Sequence, residues 1–352
     1  MKTAIQERAR ALGFEACRVT TAVAPAGAEW FRRWLGNGAH GAMAYLQRTA
    51  EKRTDPQQVL PGAKSVITLA VSYLAIETDR SPPPAGSQPI QAHPRVGVVA
   101  RYARWADYHE VLREPLQALA QYVDQVGGPG TRSLAYVDTG PILERDLAQR
   151  AGLGFIGKHT NLIRRELGNW FFLAEILTTL ELAPDAPERN RCGRCTRCLA
   201  ACPTGAITAP FQLDARRCLA YLTIELKGPI PVERRRAMGT RIFGCDDCLA
   251  ACPWNRFART GSLLREHRRR DLENLDLVAL LSLDEAEFRH RFGGTPIARI
   301  KRRGLLRNVC VALGNQGDER ALPQLAQAAR DPEPLIAEHA QWAITQIALT
   351  QH

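Results

Sequence analysis

The stretch CGRCTRCLAACP, Cys192 to Pro203, and its shorter counterpart CDDCLAACP, Cys245 to Pro253, decide how this chain is read. The first is a complete C-x2-C-x2-C-x3-C-P run, the spacing by which a loop wraps a four-iron cluster and gives its last thiolate to a neighbouring one. The second lacks one cysteine of that pattern, and Cys218, between the runs, is placed to supply it. By the cross-over rule Cys192, Cys195 and Cys198 take Cys252 for one cluster, while Cys245, Cys248 and Cys218 take Cys202 for the other. Zinc is the competing reading, since C-x2-C pairs also build ribbons and fingers. Three closely spaced cysteines and a proline after each final one are more than tetrahedral zinc requires. Cys17 and Cys310 fit neither run and read as small buried hydrophobes.

Outside the cysteine runs the 352 residues have an ordinary globular composition, which predicts two or three domains. No secretory leader or membrane-length apolar run is visible, so a cytoplasmic protein with reduced thiols is expected and no membrane partner. Charge is unevenly spread. The net excess is +11, and between Lys227 and Arg307 stand 18 basic and 10 acidic residues. The clusters Arg234 to Arg236, Arg268 to Arg270, and Arg299, Lys301, Arg302, Arg303 and Arg307 suggest a polyanion footprint. An arginine-rich solvated surface would read the same way.

Before the cysteines the pattern is mixed α/β. Apolar runs at Ser65 to Tyr73, Val96 to Ala100 and Leu134 to Val137 predict strands, Tyr108 to Val126 predicts a helix, and Ser81 to Pro94 a surface loop. Gly152 to Asn161 predicts a shaped loop. After the cysteines it turns helical: Arg307 to Gly314, Glu319 to Arg330 and Leu335 to Leu349, with breaks at Asn315 to Asp318 and at Asp331-Pro332, resemble a HEAT-like repeat. No P-loop is present, and the cobalamin signature D-x-H-x-x-G is absent.

The block Tyr136-Val137-Asp138-Thr139-Gly140-Pro141, followed by Glu144-Arg145, by Ala151 to Lys158 and by the paired cysteine runs, resembles the epoxyqueuosine reductase family. The likeness extends through Glu51-Lys52-Arg53, Asp107-Tyr108-His109 and the helical tail. It implies an α/β cobalamin-binding domain akin to reductive dehalogenases over residues 1–183, a ferredoxin-like two-cluster domain over 184–258, and a HEAT-like domain that binds transfer RNA over 259–352. It also implies base-off cobalamin, reduced by the two 4Fe-4S clusters so that low-valent cobalt engages the epoxide of the wobble nucleoside and the oxygen leaves as water. The substrate would be the anticodon stem-loop of a transfer RNA carrying epoxyqueuosine, with an unidentified electron donor.

Residue by residue, the resemblance makes Asp138 the proton donor and a cofactor contact, a carboxyl partly buried beside the corrin. It sets Arg53 and Arg101 against the corrin tail, brings the loop of Lys158, His159, Thr160, Asn161 and Leu162 close to the cofactor, and stands Asp246 and Asp247 where the second cluster meets it. Arg299, Lys301, Arg302, Arg303 and Arg307 are the expected RNA contacts. Two other functions compete: an electron carrier or dehalogenase relative with a small substrate, and a metal-stabilised RNA-binding scaffold. The basic helical tail disfavours the first. The strand-end Asp138 block disfavours the second.

Overall fold

The computed structural model describes residues 1–75 and 96–350. The expected surface loop Ser81 to Pro94 lies outside them. Among the described residues no helix is long and apolar enough to cross a membrane.

Ser65–Ser72 is buried at every position, as a strand covered on both faces must be. It is a central member of a four-stranded antiparallel sheet, flanked by Ala16–Thr21 on one side and Phe171–Thr178 on the other, with Ser133–Tyr136 at the far edge. Alternation splits the sheet into two faces. Ile67, Leu69 and Val71, with Ala174 and Ile176, pack under the helices Lys2–Ala11 and Tyr108–Gly127. The latter buries Tyr108, Leu112, Leu116, Leu119 and Val123, a single stripe at helical spacing. On the opposite face Val66, Ala70 and Leu177 meet the short helix Glu144–Arg150 through Leu147 and Ala148.

Val96–Val99 forms a strand as expected, but not in this sheet. It runs parallel to Arg241–Phe243 and antiparallel to Leu275–Asp276, so one strand from before the cysteines is sandwiched between two from beyond the first run. Val99 and Ala103 thereby join one core with Ile242, Phe243 and the helical tail. The boundaries near residues 183 and 258 divide the chain, while its cores cross them.

In the tail the helices Lys301–Gln316, Leu322–Ala328 and Pro334–Leu349 match the expected order and breaks. The first is not amphipathic: every residue from Gly304 to Gly314 is buried, because the long helix behind it and the segment Cys218–Phe243 wrap it from both sides. At Gly314 the helices approach so closely that a Cβ would stand 2.8 Å from the Trp342 ring and 2.9 Å from the Ala343 Cα. Gly314→Leu must therefore push the two helices apart. It should cost about 3 kcal/mol, at the upper end for overpacking a filled interior, and be read as a lowered midpoint in urea.

Candidate active site

The two cysteine runs close on each other as short helices, Arg197–Ala201 and Asp247–Ala250, in mutual contact. Their thiols fall into two groups. Cys198 lies within electrostatic reach of Cys252, Cys192 and Cys195, and Cys252 of Cys192 and Cys195. Cys248 lies within reach of Cys245, Cys218 and Cys202, and Cys218 of Cys202. These are the two interlocked sets that the spacing predicts. Among the described residues no three such side chains converge tightly enough to hold a single ion. The first set lines a cavity of about 380 Å³. At Cys202 the Ala206 N–H donates to the sulfur at 3.2 Å, the kind of bond that tunes cluster thiolates. Four thiolates per set and backbone donors on sulfur fit a four-iron cluster.

Beside the second set lies another cavity, of about 410 Å³, lined chiefly by Met43, Tyr102, Tyr221, Ile224 and Phe243. Asp138 and Cys218 both reach its wall. Asp138 follows the edge strand in a left-handed conformation, φ 57°, which costs of order 1 kcal/mol and turns the carboxyl away from the sheet. Tyr108 Oη donates to its Oδ2 at 2.8 Å. Burial, and then the negative charge of Asp138, push the Tyr108 hydroxyl far above its ordinary range, so it remains a donor. His109 stacks on Tyr108, binds Asp107 Oδ1 through Nδ1 at 2.7 Å, and brings Nε2 to 4.0 Å from Asp138. The Asp138 carboxyl is 55% exposed, more open than the partly buried group expected beside a corrin. Asp107-Tyr108-His109 carried the resemblance without a role. An N-capping Asp followed by two rings at a helix start was the signal for one.

Arg53 is joined to this turn. Its Nη1 donates to the Ile142 carbonyl at 3.2 Å, and Glu144, Tyr45 and Asp138 all act on its charge. Arg101 stacks over Trp170 at 4.6 Å, and its backbone N–H donates to Asp246 Oδ2 at 2.6 Å, tying the first part of the chain to the second cysteine loop. Asp247 pairs with Arg241 at 2.7 Å. These two acids are therefore structural ties beside the second set.

Lys158, His159, Asn161 and Leu162 lie elsewhere. Lys158 Nζ donates to the Gly193 and Cys195 carbonyls, and His159 lines the cavity of the first cysteine set. Burial drives the His159 imidazole down to about 4, so it is neutral. Asn161 Oδ1 accepts from Arg145, and Leu162 is buried in the hairpin with Phe155–Ile156.

Two expected RNA contacts are corrected. Arg307 is 1% exposed, and all five of its N–H groups are spent on the Leu222, Leu226 and Gly228 carbonyls and on Asn308 Oδ1. Arg302 binds the Leu283 carbonyl and Asp331, each at 2.6 Å, closing the tail. Neither can meet a phosphate. Arg299 lines the Asp138 cavity, Lys301 is exposed, and Arg303 is 43% exposed.

Sequence reasoning missed a third feature altogether. Glu175 is 0% exposed in the middle of Phe171–Thr178, paired across the sheet with Tyr136 and Thr68. Neither of its carboxyl oxygens has a partner, nor does Oε1 of the neighbouring Glu144.

Residues 53–139 match the family described as "Epoxyqueuosine reductase QueG, DUF1730", and residues 191–255 match "4Fe-4S double cluster binding domain", a span that holds all eight cysteines. A Xanthomonas campestris protein named epoxyqueuosine reductase is 43% identical over 98% of this chain and 96% of its own. A crystal structure of epoxyqueuosine reductase with an epoxyqueuosine-modified tRNA-Tyr stem loop superposes with a TM-score of 0.86, at 32% identity, over 98% of this chain and 90% of that one. A Bacillus subtilis epoxyqueuosine reductase, described with the loop of its catalytic aspartate swung out of the active site, superposes at 0.85 with 32% identity and the same coverage.

Because the sets interlock, Cys202→Ala should damage the second cluster, although Cys202 belongs to the first run. Iron in anaerobic protein should fall from about eight to about four per chain. The same loss for Cys252→Ala, with the other cluster's spectrum surviving, checks the crossing. Loss of the first cluster from Cys202→Ala would break the assignment.

Proposed function

The chain belongs to the epoxyqueuosine reductase family, and on that premise we propose how its residues divide the work. It is an oxidoreductase that reduces epoxyqueuosine to queuosine in transfer RNA with a double 4Fe-4S centre. The observation that carries the reading is that Asp138 and Cys218 share the wall of one cavity, so that an acid and a cluster ligand face the same substrate space. We assign base-off cobalamin to that cavity. Its lining is mostly apolar with a few convergent polar groups, which suits a macrocycle. Its one histidine, His109, is already engaged by Asp107 and directed at Asp138. Bound there, cobalamin supplies the reduced cobalt through which electrons from the clusters reach the epoxide.

Everything else falls to side chains. Asp138 gives the proton that lets the epoxide oxygen leave, held in position by the Tyr108 hydroxyl and backed by His109. Arg53 fixes the turn after Asp138 through the Ile142 carbonyl, and Arg101 with Asp246 and Asp247 fixes the second cysteine loop against the cavity. Lys158, His159, Asn161 and Leu162 serve the first cysteine set, a step removed from the substrate. Residues 1–183 bring Asp138, Tyr108 and Tyr102 to the cobalamin cavity, 184–258 bind the clusters and supply its other wall with Tyr221, Ile224 and Phe243, and the HEAT-like 259–352 holds transfer RNA, its anticodon arm entering past Arg299, Lys301 and Arg303. The protein works in the cytoplasm, with a separate electron donor and the wobble base as its target.

Asp138→Asn keeps shape and accepts from Tyr108 but has no acidic proton. It should retain both clusters and bind cobalamin while turning over epoxyqueuosine about a hundredfold more slowly, the usual worth of a positioned acid. A variant that binds cobalamin and runs at the parent rate would remove Asp138 from the reaction. For RNA, Arg303→Ala should make the salt dependence of transfer RNA binding shallower by about one unit. Arg307→Ala should instead lower the thermal midpoint of the protein without RNA, since it leaves five buried acceptor contacts unmade.

A further inference from the structure

We propose that Glu144 and Glu175 form a buried carboxyl pair that shares one proton and feeds it through Asp138 to the departing epoxide oxygen. The inference rests on the reaction assigned above and extends its proton accounting. Taking an epoxide oxygen out as water consumes two electrons and two protons. One carboxyl, Asp138, can pass on only one proton at a time, so a second must arrive within the same turnover.

The sheet supplies a store for it. Glu175 lies opposite Tyr136, two residues before Asp138, on the face that carries the helix beginning at Glu144. The carboxyl of Glu175 is wholly enclosed, and three of the pair's four oxygens lack any donor. Two ionised carboxylates side by side can only accept, so with both charged the contact repels. With one protonated, its O–H donates to the other, and the pair carries a single negative charge. Burial and then the charge of Asp138 push Glu144 up to about 8, and burial followed by Glu144 drives Glu175 upward too. The groups facing the pair are Asp138 from the turn, Arg53 from the helix Ala50–Thr54, Arg145 from the pair's own helix and Tyr108 from the long helix. With Asp138 counted, three carboxylates face two arginines, and one negative charge is left unmatched.

The proton balance closes without any further reagent. When Asp138 has protonated the oxygen once, it is a carboxylate. The O–H bond of the pair then breaks as an O–H bond forms on Asp138, and that new bond breaks in turn as the proton passes to the oxygen. Transfer that stopped on Asp138 would run uphill. The leaving oxygen is a far stronger base than either carboxylate and draws the proton through. Solvent refills the pair after product leaves, so Glu144 and Glu175 act through Asp138 and are positioning residues.

Infrared difference spectroscopy of the purified protein between pH 6 and pH 10 tests the pair without turnover, with carbon-13 labelling of glutamate to assign the signal. A protonated-carboxyl stretch that shifts in heavy water and fades as pH rises across this range is expected. It should be absent from Glu175→Gln, whose amide donates to Glu144 and preserves the fold. Single-turnover conversion of epoxyqueuosine RNA by reduced protein should be about tenfold slower in Glu175→Gln, at an unchanged half-saturating RNA concentration and without the fall in rate at alkaline pH expected of the parent. Glu144→Gln should behave alike. If the parent has no such stretch at pH 7, or if both variants keep the parent's rate and pH profile, the inference is overturned. If the parent shows the stretch but no epoxyqueuosine turnover, the assigned reaction fails instead, and the reservoir with it.

Discussion

Two interlocked sets of thiolates constrain this molecule more than any other interaction. Each set takes three sulfurs from its own part of the chain and one from across the divide, so both runs must be held face to face before either set is complete. The segment between them, Thr204–Gly244, cannot be a free loop. It carries Cys218 and it also supplies Leu219, Leu222, Ile230 and Met238 to a core shared with Val311 of the tail. The tail therefore braces the second cysteine set, quite apart from any role in gripping RNA. Trp34 and Ala42 secure the other side, donating to the Leu213 carbonyl and to the Tyr221 hydroxyl.

The electrostatics of the cavity follow from that frame. The partners of the Asp138 carboxyl are a neutral hydroxyl and a shared cation. Here the Tyr108 phenol supplies a hydrogen bond without a charge, and the arginine nearest the Asp138 turn also answers to Glu144. A buried glutamate at the centre of a sheet is costly, by several kcal/mol for an unpaired ionised carboxyl, and folds retain such groups where they do something. Glu175 occupies a site that a valine would fill more cheaply.

What could be read in the sequence is what depends on local spacing. The cysteine intervals group the thiols, the largely apolar run from Ser65 reads as a strand, and the turn residues around Asp318 and Pro332 cut the tail into its helices. What could not be read depends on distant partners. Nothing beside Val96 says that its strand pairs with Arg241–Phe243 rather than with the larger sheet. Arg302 and Arg307 stand in a basic run that looks solvated, and only the carbonyls of residues far along the chain turn them inward. Glu175 is hidden for the same reason, since an acid in an apolar strand looks like a solvent-facing position until both faces are covered.

The small sheet has a bearing on how the chain is made. Val98 is paired with Arg241, some 140 residues later, and Val96 with Asp276, later still. As the polypeptide emerges from the ribosome, the strand at Val96 has no partner until most of the protein has been synthesised. The four-stranded sheet is complete by Thr178 and can form first. The remaining core must then assemble late, around contacts of long sequence separation, which makes it slow and leaves an apolar edge open meanwhile. Cys245, Cys248 and Cys252 are made after the first run and before the helices that brace them. The two cysteine runs and the late core therefore come together in the same closing stretch of synthesis.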